Sequence, residues 1–194
     1  MTSREKILNA IRSGKPVAEA LPEKFPLPEI TGSLAQSFAN TLEFIGGKAV
    51  FVDSPAEIVQ YLSKLYDLAK PVISLAEGVS VGNVTPNATD DPHIYAHLEL
   101  VVLNGHFGVA ENAAIWFYEE ELILRVLPFI TQNLAVVLPE EQIVANMHEA
   151  YEVITPQMGY GVFIAGPSKT ADIEQSLVIG AHGSRSMTVF IIKT

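Results

Sequence analysis

The sequence predicts an α/β fold: a layered, largely parallel sheet with helices on both faces. Three observations carry that prediction. From Gly32 onward, segments with apolar residues at helical spacing alternate with short apolar runs. The boundaries carry matching signals, with Gly46 and Gly47 stopping one helix and Ser54-Pro55 opening the next. Hydrophobic residues make up 48% of the 194-residue chain, enough for a real core and against disorder.

Taken in order, Ser3 caps an amphipathic helix over residues 4–12 that sets Ile7, Leu8 and Ile11 on one side. Pro16, Pro22, Pro26 and Pro28 then prevent a regular helix. Residues 1–30 therefore read as an N-terminal helix and proline-rich arm, whose Leu21, Phe25, Leu27 and Ile30 ask for burial against a neighbour. Residues 31–194 read as one α/β domain. Leu34, Phe38, Leu42 and Ile45 mark its first helix, residues 49–52 a buried strand, and Ile58, Leu62, Leu65 and Leu68 a second helix capped by Ser54. Residues 71–75 form the next strand, and the glycines, prolines and Asx residues of 79–93 make a loop. Strands follow over 98–103 and 113–118, joined by a turn over 104–108. A helix over 119–130 carries three acids at its start, where its dipole favours them. A strand (134–138), a helix (139–154), a strand (161–165), a short helix (171–179) and a last strand (187–192) complete the series.

Several function classes fall away on composition. A net charge of −10, with no basic cluster, opposes binding to a phosphate backbone, so nucleic acid is not expected as a partner. With no cysteine, the chain can supply neither a thiolate nucleophile nor Cys ligands for zinc or an iron–sulfur cluster. The first twelve residues lack the layout of a signal peptide, and no run approaches the ~18 apolar residues of a membrane span. A cytoplasmic protein is the expectation. Charged residues, at 18%, fall below the usual quarter, which hints at surface buried against another subunit and makes a homo-oligomer possible.

Two constellations point to chemistry. In Gly166-Pro-Ser-Lys-Thr-Ala-Asp172, the turn precedes a predicted helix; Ser168 or Thr170 would cap it, its N–H groups would hold an anion, and Lys169 would add charge. The same residues fit a plain capping turn, and the P-loop spacing is absent. Asp172 and Glu174 would point to different sides of a helix, which leaves Asp172 as the inward group. His182, framed by Gly180 and Gly183, is placed to exchange protons near a ligand or to sit as a structural histidine. In the second constellation, Glu111 and Asn112 precede a strand. Glu111 would act as nucleophile or base with Asn112 as amide donor, or the carboxylate would simply pin the loop. His93, His97 and His106 lie near Asp90 and Asp91, but their spacing spans a loop and a strand start, and no metal is assigned.

These residues resemble the LutC/YkgG family of lactate-utilisation proteins, which share the LUD domain. The likeness rests on the opening Ser3-Arg-Glu-Lys-Ile-Leu8, on Val109-Ala-Glu-Asn112, and above all on Gly166-Pro-Ser-Lys-Thr-Ala-Asp-Ile-Glu174 with Gly180-Ala-His-Gly183. It implies a fold similar to the NagB/RpiA/CoA-transferase group. It also implies a place beside iron–sulfur subunits in a system that oxidises L-lactate to pyruvate. The chain would bind a small carboxylate or nucleotide-like ligand in a crevice lined by Glu111, Asn112, Gly166, Ser168, Lys169, Thr170, Asp172, Gly180, His182 and Gly183. No cofactor is named by the resemblance. Ala113 stands where a glycine is expected and Ser184 where a proline is. The alternative expectation is a free-standing enzyme of CoA-transferase or sugar-phosphate-isomerase type that uses Glu111.

Overall fold

The computed structural model describes residues 2–16, 19–20, 30–155, 159–170 and 178–193. Helix α1 (Ser3–Ser13) is capped by Thr2 and not by Ser3. The Thr2 hydroxyl accepts the Glu5 N–H at 3.3 Å, and the Glu5 carboxylate accepts the Thr2 N–H at 2.6 Å, a reciprocal capping box. No residue of α1 is buried. Leu21, Phe25 and Leu27 of the arm lie outside the described residues, while Ile30 packs partly buried against the main core.

Helix α2 (Leu34–Phe44), capped by Ser33, leads into β1 (Lys48–Val52). Helix α3 (Pro55–Leu65) begins with proline in its first turn, yet Ser54 makes no side-chain cap bond; the Glu57 carboxylate accepts the Asp53 N–H instead. Then come β2 (Val72–Ser74), a 3-10 turn at Pro92–Tyr95, β3 (Leu100–Asn104), β4 (Phe107–Val109), β5 (Ala114–Tyr118), α4 (Glu119–Leu122), α5 (Leu127–Ile130) and β6 (Asn133–Pro139). The chain continues with β7 (Ile143–Val144), α6 (Met147–Val153), β8 (Gly161–Ala165), β9 (Lys169–Thr170), β10 (Val178–Ile179) and β11 (Ser186–Ile192). Among the described residues, no helix is long and apolar enough to cross a membrane.

Five strands form a wholly parallel sheet in the order β1-β11-β6-β3-β2. Leu134 of β6 lies opposite Met187 and Val101, and Val136 lies opposite Val189 and Leu103. Because side chains alternate along a strand, these residues share one face and the intervening Ala135, Val137, Phe190, Leu100 and Val102 share the other. α3 covers the second face with Ile58 and Leu62. α2 covers the first, with Phe38 and Leu42 at zero exposure.

The first face has a further cover that the sequence did not signal. β7-β4-β5-β8 form a separate four-stranded sheet, and Ile115 and Phe117 of β5 reach from it into the main core. The expected turn over 104–108 therefore contains the start of a strand, β4, and residues 161–165 join this second sheet antiparallel to β5. The expected helix over 119–130 is two short helices, broken where Ile123 takes φ 58°, a left-handed conformation that a β-branched residue resists. The expected helix over 139–154 is also shorter. Pro139 closes β6, Ile143–Val144 pairs with Gly108–Val109, and α6 starts only at Met147 behind its Asn146 cap. At 178–179, where a helix was expected to end, β10 pairs antiparallel with β9, and residues 171–177 lie outside the described set.

β8 is clamped at its start. The Glu119 carboxylate accepts Arg125 Nε–H at 2.6 Å and the Tyr160 N–H at 3.0 Å. The Arg125 guanidinium, and after it the Tyr160 N–H, hold this carboxyl below its ordinary value of 4.5. A lowered folded value means that the contribution is complete above 4.5 and is lost as pH falls through the lowered one. Urea midpoints measured from pH 6 to pH 3 should therefore fall less steeply for Glu119→Gln than for the wild type. Parallel curves would remove Glu119 from the acid response.

Candidate functional site

The turn after β8 and the turn before β11 meet. The Ser168 N–H donates to the Ser184 carbonyl and the Gly180 N–H donates to the Ser168 carbonyl, both at 2.9 Å. Gly180 has φ +77°, and a Cβ on Gly183 would lie 3.0 Å from the Ser168 Cβ, so the glycines let one turn press on the other. Around this junction lies a hollow of about 380 Å³, lined among others by Gly166, Ser168, Lys169, His182 and Gly183. Lys169 and His182 stand exposed at its rim, Ser168 is half-buried, and no carboxylate among the described residues pairs with Lys169.

Five of the expected site residues are thus brought together by two turns twelve or more residues apart in sequence. The local structure differs from expectation. Lys169–Thr170 is a strand, so Ser168 caps no helix there, and its N–H is already engaged by Ser184. Asp172 and Glu174 lie outside the described residues. Arg185 N–H donates to the Gln132 carbonyl immediately before β11 and β6, so this hollow sits at the amino-terminal end of the parallel sheet, away from the strand ends where open α/β sheets usually hold ligands.

Glu111 lines a different hollow, of about 280 Å³, with Ile30, Ser37, Thr41, Ala110 and Asn146. No residue lines both hollows. The Glu111 carboxylate accepts the Met147 N–H at 3.0 Å and so satisfies the first turn of α6. The Asn112 side-chain oxygen accepts the Ala114 N–H, which closes the turn into β5.

Ala113 occupies that turn with φ 56°, fully buried. A left-handed alanine costs about 1–2 kcal/mol, which explains why a glycine is the expected residue. Replacing it, however, removes a buried methyl worth about 0.8 kcal/mol and adds about 0.5–1 kcal/mol of backbone entropy. The terms nearly cancel, and Ala113→Gly should shift stability by no more than about 0.5 kcal/mol in urea unfolding. A change of several times that size in either direction would show that one of the opposing terms is absent.

Of the expected histidine group, His93 Nδ1 lies 2.7 Å from Asp91 Oδ1, and His106 Nδ1 lies 2.8 Å from Glu121 Oε1. The Glu121 partnership was not anticipated, since its carboxylate reads from sequence as one of three acids at a helix start. A histidine in a glycine-bracketed turn at a strand's carboxyl end was the signal available.

The LUD domain family model matches residues 93–192. Lactate utilization protein C of Geobacillus thermodenitrificans is 24% identical over 200 residues, covering 98% of this chain and 80% of that protein. Lactate utilization protein C of Bacillus velezensis is 33% identical over 82 residues, covering 39% of this chain and 34% of its own. The crystal structure of a DUF162 family protein from Deinococcus radiodurans superposes with a TM-score of 0.64 at 16% identity, over 82% of this chain and 96% of that one, and shares the fold.

Proposed function

The chain belongs to the LUD domain family, and from that premise we propose that it serves lactate utilisation as a subunit of a system oxidising L-lactate to pyruvate. The observation that carries this reading is the similarity to lactate utilization protein C along 98% of the chain. Oxidation of lactate releases two electrons and two protons. With no cysteine in this chain, Cys-ligated clusters to receive those electrons would sit on partner subunits.

The small anionic ligand of this reading occupies the hollow between the two glycine turns. Lys169 supplies the positive charge, Ser168 supplies a hydroxyl donor, and the His182 imidazole stands at the rim as a proton donor or acceptor; Thr170, expected beside them, does not line the hollow. Gly166, Gly180 and Gly183 shape the turns that hold these side chains in place. A free-standing transferase or isomerase built on Glu111 is disfavoured, because that carboxylate already accepts a helix N–H.

Affinity purification of the tagged chain from cells grown on lactate tests the partnership. Proteins containing stoichiometric iron and sulfide should co-purify, and deletion should stop growth on lactate but not on glucose. A chain recovered without iron–sulfur partners, together with unimpaired growth on lactate, would sink the proposal.

A further inference from the structure

The carboxyl-terminal ends of all five parallel strands converge on a separate cleft of about 570 Å³, within the usual range for small-molecule sites. Pro55 comes from beyond β1, Glu77 from beyond β2, Asn104 from the end of β3 and His106 from just beyond it, Gln142 from beyond β6 and Ile192 from the end of β11. This is the position where open α/β sheets hold ligands.

Its chemistry is one-sided. His106 is fixed through Nδ1 to Glu121 Oε1, while Glu121 Oε2 accepts the Tyr118 N–H at 2.8 Å and the imidazole packs edge-on against the Tyr118 ring at 4.7 Å. A carboxylate can only accept, so the proton of the neutral ring sits on Nδ1 and Nε2 carries a lone pair. Glu77 adds a second acceptor, and Asn104 and Gln142 add amide groups that can both donate and accept. Among the described residues, no lysine or arginine lines the cleft. Lys193, next after Ile192, is paired with Asp53 at 3.3 Å. An anion would therefore meet two carboxylates and no free cation. A ligand rich in hydroxyl hydrogens would meet acceptors.

We propose that this cleft binds an uncharged vicinal diol, the pattern of a sugar or of a nucleoside's ribose, with the Glu77 carboxylate and His106 Nε2 accepting its hydroxyl hydrogens. A carboxylate that accepts from ribose hydroxyls is the recurrent device at this position in dinucleotide-binding sheets. The site is independent of the lactate reading. Its probes are uncharged and its residues differ from those of the Lys169 hollow, so either assignment can fail without the other.

The test is a titration of the full chain followed by the ring signals of its five histidines in two-dimensional NMR. The probes are adenosine, 2′-deoxyadenosine, D-ribose and L-lactate. The His106 signal is identified by its loss in His106→Gln or, should that variant fail to fold, by its displacement in Glu121→Gln. Adenosine should move the His106 signal saturably and leave that of His182 in place. 2′-Deoxyadenosine should bind about tenfold more weakly, the equivalent of one hydrogen bond to a charged acceptor at about 1.4 kcal/mol. Glu77→Gln, at an exposed position, should weaken adenosine by a similar factor without changing the fold. A His106 signal that ignores both adenosine and ribose, that responds equally to the deoxynucleoside, or that responds best to lactate would overturn the assignment.

Discussion

Phe38→Ala is expected to destabilise the protein by about 3–5 kcal/mol, the range for deleting a fully buried phenyl ring and leaving a cavity. Against a typical total of about 5–15 kcal/mol, that loss takes about a fifth or more of the stability. Phe38 lies on α2 with zero exposure and belongs to the core that both sheets share. Its ring edge also presses on the backbone of the second sheet, since a Cβ on Gly108 would sit 3.0 Å from Phe38 Cε2 and 2.7 Å from Leu138 Cδ2. Gly108→Ala alone should cost about 1–3 kcal/mol by overpacking. In the Phe38→Ala background the same methyl enters the space left by the ring, and its cost should fall by at least ~0.5 kcal/mol, although Leu138 still crowds it. Urea unfolding followed by the fluorescence of Trp116, the chain's single tryptophan, would measure all four corners of this cycle. Equal costs in the two backgrounds would mean that the α2 ring is not what keeps residue 108 bare.

The same contact shows why part of the fold was legible and part was not. Phe38 and Leu42, like Ile58 and Leu62, recur at helical spacing between clear boundary residues, and both pairs are fully buried on opposite faces of the parallel sheet. The long strands β6 and β11 show continuous apolar runs. Two of the second sheet's four strands, β4 and β7, are three and two residues long, and pieces that short carry no period to detect. Its existence depends on Gly108 and Val109 meeting Ile143 and Val144, a pairing that no local pattern encodes. Ile123 broke an otherwise good helical pattern through a backbone conformation that its residue type argues against.

The sites divide in the same way. Gly166-Pro-Ser168 and Gly180-Ala-His-Gly183 are turns by residue type alone, and the hydrogen bond from Ser168 to Ser184 joins them as two backbone segments, independent of side-chain identity. The chemistry expected of them therefore gathers in one hollow. Glu111 was expected there too, but its place is set by the β4–β5 turn and by the start of α6, elements absent from the expected layout at that point. The His106–Glu121 pair escaped notice because its members are fifteen residues apart, on either side of β5, and meet only through the curl of that strand into α4.

Lys169→Glu is expected to weaken small-anion binding by about two orders of magnitude. Removing one charge-assisted hydrogen bond costs about 1.5–3 kcal/mol, roughly 10- to 100-fold in affinity, and the reversed charge adds repulsion. Lys169→Met separates the two effects and should stop at the first. Because Lys169 is exposed and has no carboxylate partner among the described residues, either substitution should leave stability without ligand within about 0.5 kcal/mol. The readout is the thermal stabilisation that the proposed site predicts for lactate or pyruvate, which would follow the ratio of ligand concentration to Kd. In the wild type that stabilisation should shrink as salt rises, since screening shortens the Debye length from about 10 Å at 0.1 M to about 3 Å at 1 M. In Lys169→Glu it should be far smaller at every salt concentration, while His182→Ala should keep the salt dependence. An unaltered lactate response in Lys169→Glu would take the anion out of this hollow, because no other lysine or arginine among the described residues lines it.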